Sequence, residues 1–66
     1  MMEARLRAAL MRLGEKDRLA VLLHDQEGMS AAEVASVVGG SAGALRIRLM
    51  RARGKLRCWL SGAGQV

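Results

Sequence analysis

The chain has 66 residues, 52% of them apolar, with eleven lysines and arginines against six acids for a net charge of +5. A lone cysteine excludes an intrachain disulfide, one Cys and one His are too few for a structural zinc site, and no apolar run approaches the roughly 20 residues that span a bilayer. A reducing, cytoplasmic setting without secretory signal, metal, cofactor or membrane is therefore expected, and so small a chain must be held together by helix packing alone.

The charge is unevenly placed. Residues 1–33 hold all six acids and five bases, whereas residues 34–66 hold six bases and no acid. A one-sided basic half points to a polyanion, with nucleic acid first and an anionic membrane second. With no proline and no alternating β-branched pattern, strands are not expected.

Four helices are expected in chain order. The first covers about Glu3 to Leu13, with Leu6, Leu10 and Leu13 on one stripe, and Gly14 breaks it. The second runs from about Glu15 to Gln26, with Glu15 and Asp17 in its first turn and Leu19, Leu22 and Leu23 facing inward; Glu27-Gly28 ends it. The third opens on Ser30-Ala31-Ala32-Glu33, a capping box in which the serine hydroxyl takes the N3 amide and the glutamate reaches back. Met29 and Val34 sit as its hydrophobic staple, and Gly39-Gly40 ends it after Val38. Ser41 then caps a long fourth helix to about Leu60, and residues 61–66 read as a flexible tail.

A short helix, a glycine-containing turn and a second helix make a helix-turn-helix, although a generic helical hairpin obeys the same apolar rules. Ala35 is small where the two helices must approach, and Val34, Val38 and Leu45 supply the contact between them. In the fourth helix Leu45, Leu49, Ala52, Leu56 and Trp59 or Leu60 form an inward stripe. Gly43, Ile47, Met50 and Gly54 point the other way, and Arg46, Arg48, Arg51, Arg53, Lys55 and Arg57 flank both sides. A helix so arranged can meet base edges with its first turns and grip phosphates with its flanks.

The segment from Leu13 to Leu56 resembles region 4 of bacterial sigma factors, nearest to the extracytoplasmic-function group. The matching residues are Arg18, Val21-Leu22-Leu23, Asp25, Glu27-Gly28-Met29-Ser30, Glu33-Val34-Ala35, Gly39, Ser41, Gly43, Leu45-Arg46, and the ending Arg48-Leu49, Arg51-Ala52-Arg53 and Leu56. The resemblance implies an all-α, four-helix domain with a C-terminal helix-turn-helix and a long recognition helix. It implies binding to duplex promoter DNA at the −35 element, contact with the β flap of the RNA polymerase core, and masking by an anti-sigma factor. Ser41, Gly43, Ala44, Arg46 and Ile47 would face the major groove, with Ala42 and Met50 beside them in the DNA-binding set. Arg18, Arg48, Arg51 and Arg53 would take phosphate or structural positions. The other sigma regions lie outside these 66 residues, so the resemblance is to a segment of a longer chain or to a free-standing region 4-like protein.

Five positions depart from the family pattern. It usually has proline at Gly14, an aromatic or similar residue at Ala31, an apolar residue at Gly40, threonine at Ala44 and serine at Ile47. Gly40 is expected to loosen the turn, and Ala44 and Ile47 remove two hydroxyls from the DNA-facing surface while leaving groups suited to thymine methyls. Ile47 and Met50 keep three readings open: base contact, a partner-binding patch, and an ordinary exposed apolar pair. His24 reads as a surface or capping residue, and Cys58 and Trp59 as fourth-helix packing. With neither Phe nor Tyr there is no stacking platform for single strands, which favours duplex. No Ser/His/Asp set or phosphate-cradling glycine loop is present, so an enzyme is not expected. The competing function is a protein-interaction domain of the same fold with little specific DNA binding.

Overall fold

The computed structural model describes residues 3–61. These residues are all-helical, in four helices: α1 (Ala4–Arg12), α2 (Glu15–Val21), which runs on into a π-helical turn (Leu22–Gln26), α3 (Ala31–Val38) and α4 (Ala42–Ser61). The expected architecture is present, and the departures are local.

Helix α1 stops at Arg12 because Leu13 turns extended (φ −73°, ψ 155°) and drops its side chain into the core. Gly14 follows at an ordinary φ of −61° as the N-cap of α2, so the break does not draw on glycine's conformational freedom. The corner is latched instead by Arg18, whose Nη1 donates to the Leu13 carbonyl at 3.3 Å.

Helix α2 does not finish as an α-helix. The Glu27 amide donates five residues back to Leu22, and the Met29 amide reaches the Leu23 carbonyl, so the last turn is wide. The His24 ring closes it: Nδ1 lies 2.8 Å from the Met29 carbonyl, and because a carbonyl only accepts, Nδ1 carries the hydrogen. Of the two roles expected for His24, surface or capping, it takes the capping one. Gly28 sits at φ +72°, which glycine adopts without steric cost.

The inward face of α2 differs from expectation. Ala20 and Val21 are the buried residues, Leu22 and Leu23 are half-buried, and Leu19 is 40% exposed. Small Ala20, fully enclosed, lets α2 lie close against its neighbours. Leu19, about 100° further round the helix, is turned aside.

Helix α3 starts as its sequence specifies. Ser30 Oγ accepts from the Glu33 amide at 3.1 Å, and the Ser30 amide donates to Glu33 Oε1 at 2.8 Å. Hydrogen bonding to the Glu33 carboxyl, from the Ser30 backbone amide first and from its side chain second, holds that group below its ordinary 4.5.

The turn after α3 carries two glycines at positive φ, Gly39 at +100° and Gly40 at +88°. Gly40 was expected to loosen this turn. It instead occupies a conformation that a side chain would strain, so glycine is what allows the reversal. Val34 and Ala35 are buried against α4, with Val38 half-buried at the edge.

Helix α4 is the spine, and at 20 residues it is about 30 Å long. Leu45, Leu49, Ala52 and Leu56 are buried along it, packed with Ala9, Leu10, Leu13, Val21 and Val34 in one core. Trp59 and Leu60 pack partly against that core, and the Arg12 guanidinium sits 4.2 Å from the centroid of the Trp59 ring, which ties α1 to the end of α4. Two expectations change here. Cys58 is exposed and does not pack, because the stripe passes through Leu56 and Trp59 and leaves position 58 on the outer side. Ser61 belongs to the helix, where its hydroxyl donates to the Cys58 carbonyl at 3.3 Å, so the assigned tail loses its first residue. Residues 62–66 of that tail lie outside the described residues.

Candidate nucleic-acid interface

The interface is built from the start of α4. Ser41 Oγ accepts from the Ala44 amide at 3.1 Å, and its carbonyl takes the Leu45 amide at 2.9 Å, so Ser41 is the N-cap that was expected. Its hydroxyl acts within the cap. The positive end of the helix dipole and the amides of the first turn lie beside it, a favourable place for a phosphate oxygen.

From this start the buried stripe fixes which side chains look outward. Gly43, Ala44, Arg46, Ile47, Arg48, Met50 and Arg51 are exposed, Ala42 and Arg53 are half-buried, and Ile47 and Met50 are 49% and 65% exposed. A groove runs along one side of the helix, lined by Asp17, the Gly39-Gly40 turn, Ala44, Leu45, Ile47, Arg48, Arg51 and Lys55. The chain's departures Gly40, Ala44 and Ile47 thus meet on one concave surface with three cations. Lys55 joins the set only in the structure, since its place in the groove depends on the α4 rotation that Leu45 and Leu49 impose.

The cations differ in their partners. Arg48 Nη1 pairs with Asp17 Oδ1 on α2, and Arg53 Nη2 pairs with Asp25 Oδ1 in the π turn, both at 2.5 Å. Arg18 is committed to the Leu13 carbonyl and lines a separate hollow with Glu15, Lys16, Leu19, Leu22, Val37 and Val38. The structure therefore gathers Ala44, Ile47, Arg48 and Arg51 in one groove and puts Arg18 elsewhere. Within the described residues Arg46, Arg51, Lys55 and Arg57 form no ion pair with a carboxylate. The pairing of α2 acids with α4 arginines could not be read from the sequence, because the partners are 31 and 28 residues apart.

No group of three or more His, Cys, Asp or Glu residues arranged to hold a metal occurs among the described residues. Among the same residues no helix is long and apolar enough to cross a membrane.

The family model for sigma-70, region 4 matches residues 3–56, from the N-cap of α1 to the last buried leucine of α4. No curated protein matches the chain. The match covers most of the chain and includes the capping box, the double-glycine turn and the cationic helix. It carries a sigma-factor-like role in transcription and DNA binding, in a family of non-enzymatic domains that work with DNA and RNA polymerase. The chain belongs to the sigma-70 region 4 family.

Proposed function

We propose that the chain is the promoter-recognition domain of an RNA polymerase sigma factor of the extracytoplasmic-function group, and that α4 contacts the −35 element of duplex promoter DNA during transcription initiation. The observation that supports this best is the outer face of α4. Among the described residues it offers Arg46, Arg51, Lys55 and Arg57 outside any ion pair, beside an exposed Ala44 and Ile47 and behind a capped N-terminus.

On this reading Ser41, Ala42 and Gly43 bring the helix end to a phosphate. Ala44, Arg46 and Ile47 enter the major groove, with Met50 at its lip. Arg48, Arg51 and Arg53 hold the backbone, the first and last in exchange with Asp17 and Asp25, and Arg18 stiffens the α1–α2 corner. The partly exposed hollow of Leu19, Leu22, Val37 and Val38 suits an apolar element of the polymerase β flap. Methylation protection on a bound duplex tests the groove assignment. Shielding of guanine N7 over about one helical turn is expected, since N7 lies in the major groove, and protection confined to minor-groove positions would contradict it.

A second reading is supported by the exposure of Met50 and Ile47. Here the same surface binds an anti-sigma factor or another regulator, and DNA binding is weak. Replacing both residues with Ser would then abolish complex formation without affecting the fold, and unchanged capture by the double variant would count against it.

A further inference from the structure

Ala44, Ile47 and Met50 lie three residues apart, so they form a narrow apolar line on the exposed side of α4, with Arg46, Arg48 and Arg51 on its flanks. No acid occurs anywhere in α4. An apolar line framed by cations fits an occupant that is anionic at its edges and apolar along its floor. A major groove containing thymines has that layout by construction: phosphates on both walls and C5-methyl groups between them. The spacing agrees as well. Residues three apart on a helix advance about 4.5 Å, close to the roughly 3.4 Å between successive bases of one strand.

We infer that Ala44 and Ile47 are specificity-determining residues that read thymine 5-methyl groups at neighbouring base pairs. This rests on the DNA-binding reading given above. Ser41 offers a polar hydroxyl rather than an apolar group, and that hydroxyl accepts from the Ala44 amide. Arg48, paired with Asp17, lines the same groove as Ile47 and sets a cation at its wall. Met50, one further turn along and 65% exposed, lies where a straight helix begins to leave the groove floor and makes the weaker contact.

The test uses the 66-residue chain and a randomised pool of 30-base-pair duplexes, selected once with thymine and once with uracil, which differs only by the missing methyl. The thymine pool should converge on sequences with thymines at two neighbouring positions. Replacing either thymine by uracil in the selected duplex should weaken binding about fourfold, the effect of one buried methyl group, while uracil elsewhere changes nothing. Ile47→Ser, a replacement at an exposed site whose fold is checked by circular dichroism, should erase the discrimination at one of the two positions, and Ala44→Ser at the other. Specific binding with equal affinity for thymine and uracil duplexes would overturn the methyl readout and leave DNA recognition standing. Failure to bind any duplex, with the fold intact, would overturn the DNA reading and this inference with it.

Discussion

Arg48 on α4 and Asp17 on α2 form an ion pair at 2.5 Å across 31 residues of chain, at the edge of the groove that Arg51 and Lys55 line. The contact ties α4 to α2 and neutralises a cation where a polyanion would approach. Both side chains are partly exposed, so the pair contributes only about 0.2–1 kcal/mol to the fold.

Asp17→Asn should therefore lower the melting temperature slightly and strengthen duplex binding about two- to fivefold, the same energy appearing on the other side of the balance. The salt dependence of binding should also steepen by about one unit as Arg48 becomes available to a phosphate. Affinity measured by fluorescence anisotropy at several salt concentrations checks this. An unchanged slope together with an unchanged affinity would mean that Arg48 stays out of the interface.

Two glycines should respond in opposite directions. Gly40→Ala forces a side chain onto a backbone at φ +88° and should cost about 1 kcal/mol or more. Gly54 lies inside α4 with open space where a Cβ would sit, so Gly54→Ala should stabilise by up to about 1 kcal/mol. Thermal melts of the two variants separate the effects, and equal shifts would contradict the assigned turn.

Ser30→Ala should remove about 1 kcal/mol through loss of the cap on α3, a drop of roughly 4–8 °C for a domain of this size. Glu33 adds a pH dependence. Its folded-state pKa lies below the unfolded one, so its contribution is fully present above the ordinary 4.5 and is lost as pH falls through the lower folded value. The stability difference between the native chain and Glu33→Gln should be constant from pH 7 to about 5 and shrink below that. A difference that grows on acidification would contradict the capping geometry.

The sequence carried the helices well, because their signals are local. Leu45, Leu49, Ala52 and Leu56 recur at helical spacing, Ser30 and Glu33 stand three apart, and Gly39-Gly40 separates two periodic runs. What it did not carry depends on distance or on the fit between helices. The ion pairs of Arg48 and Arg53 join distant segments. The wide turn at Leu22–Gln26 has no composition signal, and Leu19 turns out because Ala20 and Val21 pack more closely. For the candidate interface, the outward set around Ala44 and Ile47 was legible from periodicity. The separation of Arg18 from that set, and the arrival of Lys55, required the packed structure.

Contact between α4 and duplex DNA is tested most directly by the salt dependence of duplex affinity. Arg51, Lys55 and Arg57 engaging phosphates, with Arg48 and Arg53 joining in exchange for Asp17 and Asp25, predict a log–log slope of about −4.5 for the five contacts. A flat response, or no duplex binding by the folded chain, would contradict it.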